Sequence, residues 1–172
     1  MTDIFTPEKR SEVMARIRST GNKDTELKLM AALREADIKG WRRHAIVKVA
    51  AATAGGVRTT SSASPRSRAG EKPKKTAKIA LKVRPDFVFW RARVALFVDG
   101  CFWHGCPRHG TRPRQNGEFW SAKILRNQAR DRKVSRVLRR DGWSVLRIWE
   151  CTLTPRRIIA TLARVKRALE RK

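Results

Sequence analysis

Cys101, Cys106 and His109 fall within nine residues, and Cys151 follows the last β-rich run, so three thiols and one imidazole can meet as a Cys3His set. Zinc takes such a set in closed structural sites, where it ties a loop together and performs no reaction. The competing reading is isolated buried cysteines, which behave as small apolar residues. Acids make a second set. Asp86 opens an apolar run after Arg84-Pro85, and Asp99 closes the next, immediately before Gly100. If the runs pair through Arg91-Ala92-Arg93, Pro85-Asp86 and Val98-Asp99 lie at neighbouring strand ends. A hard cation such as Mg2+ wants one or two carboxylates plus phosphate and water. In a cationic chain that points to phosphodiester chemistry, with the cation polarising phosphate and activating a water. The alternative is that Asp86 caps a turn or pairs with Arg84. His104, three residues after Cys101, is either a further ligand or a general acid or base beside the cation. Phe102 and Trp103 flank it; such rings pack a core or, beside a nucleic-acid groove, wedge between bases.

The elements that must position these groups are readable in outline. Thr6 can cap a first helix with Pro7 at its first position, and Val13, Met14 and Ile17 share a face. Leu27, Met30 and Leu33 predict a second helix from about Asp24 to Ala36. RRHAIVKVA reads as a strand beginning near Arg42. From about 50 to 78 the chain is small, polar and basic, and it is expected to be a disordered insertion within one domain spanning 1–172. PDFVFW and VALFVDG predict a hairpin of core strands. A long helix is expected from about Glu118 to Arg140, stopping before Asp141-Gly142, with Phe119, Ile124, Val134, Val137 and Leu138 among its apolar positions. Its Lys123, Arg126, Arg130, Arg132 and Lys133 either contact phosphates or form a solvated face. WSVLRIWE is the last strand, and Pro155 opens an amphipathic terminal helix. This order fits an α/β sandwich around a mixed sheet.

The chain has 172 residues, with 41 Lys and Arg against 15 Asp and Glu and a net charge of +26. At 41% hydrophobic residues it can bury a core, so it is not simply a basic tail. No window approaches a membrane span and the first residues lack a signal peptide's apolar stretch, which argues for a cytoplasmic protein. Three cysteines are too few for a disulfide framework and fit a reducing compartment. A field this positive makes nucleic acid the default partner. Charge alone does not separate a nuclease from a ribosomal or architectural protein.

The motifs RPDFVFW, FVDGCFWHGCPRH, FW-x2-K-x3-N-x2-RD and GW-x-VLRIWEC, in that order, resemble the very-short-patch-repair (Vsr) DNA mismatch endonucleases. The resemblance implies a three-layer, restriction-endonuclease-like relative of the PD-(D/E)xK fold with a structural zinc. It implies Mg2+-dependent nicking of double-stranded DNA 5′ of the thymine in a T·G mismatch. It makes Asp86 the metal-binding aspartate and Val98 the residue whose main-chain carbonyl contacts the metal. His104 becomes the catalytic histidine and Glu26 a catalytic-site glutamate. Phe102, Trp103 and Trp120 match aromatics that enter the DNA, and Met14 a wedge from the opposite groove. Cys101, Cys106 and Cys151 fall at zinc-ligand positions. Lys123, Arg126 and Arg130 would bind DNA, mismatch-repair proteins are candidate partners, and a bacterial protein would be nucleoid-associated. Four departures stand out. Asp99 stands in place of a second histidine as a candidate catalytic group, the second ligand is Cys106 rather than histidine, the last loop ligand is His109 rather than a cysteine, and the basic insertion replaces a short Gly/Pro connection.

Overall fold

The computed structural model describes Thr6, Lys9, Glu12 and residues 23–50, 79–110 and 116–171. Met14, most of the expected first helix and residues 51–78 of the expected insertion lie outside the described residues. The elements are a π-turn (Lys23–Leu27) running into α1 (Lys28–Glu35), β1 (Trp41–Arg43), β2 (Val47–Ala50), β3 (Ile79–Val83), β4 (Phe87–Phe89), β5 (Val94–Asp99), α2 (Gly117–Arg140), β6 (Ser144–Trp149) and α3 (Pro155–Glu170). The chain is α/β with a mixed sheet in the order β1-β4-β5-β6, and β2 and β3 form a separate antiparallel ribbon.

The expected hairpin is present: β4 pairs antiparallel with β5, placing Phe87 opposite Leu96 and Phe89 opposite Val94. Successive strand residues point to opposite faces, so these four share one face and Val88 and Ala95 the other. On the first face they join Leu29 and Leu33 of α1, Ile148 of β6 and Val165 of α3 in one core. On the second, Val88 and Ala95 meet Val47, Val49 and Val83 of the ribbon, with Leu138, Val134 and Val137 of α2. Because β5 and β6 run parallel, with Leu96 opposite Leu146, the chain must cross back between them. Helix α2 is that crossover. It ends at Gly142, whose φ of +80° suits glycine, and Trp143 donates its N–H to the Leu138 carbonyl.

The single strand expected from Arg42 is instead two strands in different sheets. The break is at His44, which holds φ +50° and donates its backbone N–H to the Asp86 carbonyl. A residue in the left-handed region cannot continue a strand. The second helix also differs at its start, where a π-turn carries Glu26; such turns mark functional sites in many helices.

Candidate functional site

Two groups of chemistry-bearing side chains line one open cleft of about 590 Å3: Glu26 and Asp86 from one side, His104, Asp99 and Asp131 from the other. The hairpin positions Asp86. Its backbone N–H donates to the Leu96 carbonyl, and its Oδ2 accepts the Val98 N–H at 2.7 Å. Glu26 is buried; its Oε2 is 2.8 Å from Arg43 Nη2 and 3.0 Å from His44 Nε2. Donor atoms of Glu26, His44 and Asp86 all lie within 4.8 Å of one another. Burial pushes the Asp86 carboxyl up to about 6; the Val98 N–H opposes this, and the nearby Glu26 charge adds to it. Two carboxylates crowded in this way fit a divalent cation, which relieves both burial and repulsion.

Across the cleft His104 Nδ1 lies 2.5 Å from Asp131 Oδ2. A carboxylate only accepts, so this nitrogen carries the proton. Asp99 is buried and its two oxygens are held by Arg147, with Nε at 2.6 Å from Oδ2 and Nη2 bonded to Oδ1. Burial disfavours the Asp131 anion, but the hydrogen bond from His104 and the charge of Arg147 outweigh it and hold the carboxyl below its usual range.

The loop after β5 carries Cys101, Cys106 and His109 and is docked on α2 and on the end of β6. Asn127 Nδ2 donates to the Trp103 carbonyl at 2.9 Å, Gln128 Nε2 to the His104 carbonyl at 3.2 Å, and Glu150 Oε2 accepts the Cys101 N–H at 3.1 Å. Gly105 allows the close approach: its φ is +62°, and a Cβ there would lie 2.5 Å from Gln128 Nε2 and 2.9 Å from Ile124 Cγ2. The loop brings Cys101, Cys106 and His109 to Cys151, which follows β6, with all four donor atoms within 4.8 Å of one another. Cys106 Sγ is 3.9 Å from Cys151 Sγ and 4.0 Å from His109 Nδ1. Tetrahedral bonds of about 2.0–2.3 Å set ligand separations of that size, so the four residues fit zinc. Burial pushes the Cys101 thiol up to about 12. At Cys106 burial acts the same way, but the backbone N–H groups of Arg108 and His109 prevail and lower the thiol to about 7.

The aromatic candidates form a cluster at the cleft rim. Phe102 lies 5.1 Å from Trp103 and 5.2 Å from Trp120 between ring centroids, and Lys123 Nζ is 5.2 Å from both tryptophan rings. Trp120 is buried, whereas Phe119, expected among the helix's apolar positions, is 55% exposed. Lys123 and Arg130 line the cleft, as does Val98; Arg126 is exposed on α2 outside that lining.

Residues 73–109, which span the hairpin and the cysteine loop, match the family model for DNA mismatch endonuclease Vsr. The chain therefore carries a segment similar to the Vsr family. It is 54% identical over 70 residues to the type II nicking enzyme V.NaeI of Lentzea aerocolonigenes, covering 41% of this chain and 42% of that protein. It is 39% identical over 92 residues to the DNA mismatch endonuclease Vsr of Escherichia coli, covering 53% of this chain and 59% of that protein. The type II nicking enzyme V.XorIIP of Xanthomonas oryzae is 45% identical over 74 residues, covering 41% of this chain and 52% of that protein. The chain thus spans about half the length of the curated relatives it matches. Around this cleft, sequence reading missed four residues: Arg43, His44, Asp131 and Arg147. Asp131 could have been found, because it closes the FW-x2-K-x3-N-x2-RD motif one helical turn after Asn127. Arg147 is a lone cation inside the apolar run SVLRIW, a weaker signal. Nothing local marks His44.

Proposed function

We propose that the chain is a DNA endonuclease of Vsr type, nicking one strand of a duplex 5′ of the thymine in a T·G mismatch with Mg2+. The observation that carries this reading is one cleft in which the Glu26–Asp86 carboxylate pair meets an imidazole, His104, whose Nδ1 is hydrogen-bonded to Asp131. Asp86 and Glu26, with the Val98 carbonyl, would hold the metal. When bound, Mg2+ polarises the scissile phosphate and lowers the pKa of an attacking water. His104, its Nδ1 proton committed to Asp131, has Nε2 to accept the proton of that water. Lys123 and Arg130 supply positive charge for phosphates. Phe102 and Trp103 would offer ring faces for bases beside the mismatch, with the buried Trp120 packed against both. Cys101, Cys106, His109 and Cys151 would form a closed zinc site that fixes the loop bearing His104. The same reading makes 1–172 one restriction-endonuclease-like domain, with Met14 as a wedge, acting in the cytoplasm and in contact with mismatch-repair proteins. Among the described residues no helix is long and apolar enough to cross a membrane.

A second reading keeps the nuclease and changes the target, since relatives from Lentzea and Xanthomonas are described as type II nicking enzymes. A panel of duplexes carrying T·G, other mismatches or only paired bases, incubated with Mg2+ at equal salt, separates the two. Nicking restricted to T·G supports the first. Equal nicking of paired duplexes favours the second. Full activity in Asp86→Ala would remove the metal assignment, and no nicking by the unaltered protein would leave a zinc-stabilised DNA-binding protein.

A further inference from the structure

Arg147 sits on β6 directly opposite Phe97 of β5, and its guanidinium lies 5.1 Å from the centroid of that ring. From there it serves two carboxylates at once. Nε and Nη2 grip Asp99, and the same Nη2 lies 3.1 Å from Asp131 Oδ2, the oxygen that accepts from His104 Nδ1. Asp99 Oδ1 is itself 3.7 Å from that Nδ1. Without a cation between them, two carboxylates this close to one imidazole would repel each other, and the ring would have two competing acceptors. A guanidinium is permanently charged and forked, so it can neutralise both and aim each.

We infer that Arg147 is a positioning residue: it ties Asp99 to the sheet and holds Asp131 where it fixes His104 with the proton on Nδ1 and the acceptor on Nε2. Asp99 is then the anchor of that guanidinium, which accounts for an acid buried at the end of an apolar strand. The effect on rate rests on the nuclease reading; the effect on the imidazole does not. One atom supplies the rival account. Arg147 Nη1 is buried with no hydrogen-bond partner, and an arginine that spent it on a DNA phosphate would act in binding.

The test compares Arg147→Ala with the unaltered zinc-loaded protein in three measurements. Ring nitrogen NMR of His104, assigned with His104→Gln, should show the Nδ1–H neutral tautomer in the unaltered protein and a loss of that preference in the variant. Nicking kinetics should show kcat lower by about 10²-fold with KM within about twofold, the low end of what a general base contributes. Guanidinium ion at tens of millimolar should restore kcat about tenfold in Arg147→Ala, whereas equal NaCl should not, and His104→Gln should not respond. An unchanged tautomer, or a raised KM with unchanged kcat, overturns the inference. If Arg147→Ala does not fold, the double variant Asp99→Asn/Arg147→Gln, which buries no lone charge in their place, takes over. Retention of the Nδ1–H tautomer there overturns it equally. Should the unaltered protein nick no duplex, the nuclease reading fails and the tautomer measurement still decides the role of Arg147.

Discussion

The backbone N–H of Val98 donates to Asp86 Oδ2 across the β4–β5 hairpin at 2.7 Å, between residues 12 apart in sequence. That one bond places a carboxylate at the mouth of the cleft and holds it in a position where burial raises its pKa from 3.8 to about 6. Because the folded chain binds this proton more tightly than the unfolded chain, the contribution of Asp86 is full below about pH 4 and is lost as pH rises through 6. Asp86→Asn keeps an oxygen for the Val98 N–H and carries no charge. It should therefore be the more stable protein at pH 8 without divalent ions, by on the order of 2 kcal/mol, with the gap closing toward pH 4. Urea unfolding at the two pH values in EDTA measures this, and an unaltered protein as stable as the variant at pH 8 would count against it. Adding Mg2+ should raise the melting temperature of the unaltered protein and leave the variant where it was.

Removal of the sulfur cluster should unfold the loop that carries His104. Cys151 sits beyond β6, so Cys151→Ala leaves the loop's own sequence intact and deletes one of four donors. The expected result is about one zinc per chain by elemental analysis in the unaltered protein and less in the variant. Stability should fall by about 3 kcal/mol or more, a fraction of the roughly 10–16 kcal/mol that structural zinc contributes to folding. Equal melting curves and a zinc-free unaltered protein would show the four residues to be ordinary packing.

Helix α2 should lay a track of charge along a duplex. At about 1.5 Å per residue its 24 residues run for about 36 Å. Arg132, Arg136, Arg139 and Arg140 line a second cleft of about 850 Å3 that shares His104 and Asp131 with the first. Each phosphate contact adds about 0.9 to the slope of log affinity against log salt. Arg136→Gln/Arg139→Gln should accordingly flatten that slope by about 2, equally on mismatched and paired duplexes. A slope that does not change would make this face a solvated one.

How much of this was legible beforehand follows sequence distance. The hairpin could be read because its pairing is local: two β-rich runs and a short turn suffice to bring Asp86 beside Val98. Cys101, Cys106 and His109 could be read because they lie on one loop, and the long helix and the terminal helix because their apolar spacing and their stops are periodic or punctuated. Residue types in those places determined the chemistry on offer, carboxylates for a cation and thiolates for zinc, in a chain whose charge of +26 favours a polyanion.

Only the tertiary structure decided which groups answer one another. Asp99 and Arg147 are 48 residues apart and His104 and Asp131 are 27 apart. They meet because β5 and β6 pair in parallel and α2 must cross between them, a register fixed by the burial of Leu96, Ile148 and Leu138. His44 likewise reaches Glu26 only because the chain breaks its strand at φ +50° and turns toward Asp86. Periodicity and spacing are properties of one segment and carry no record of its neighbours. A contact made across a crossover is set by how whole elements pack, and it is there that Asp99 gained Arg147 as its partner.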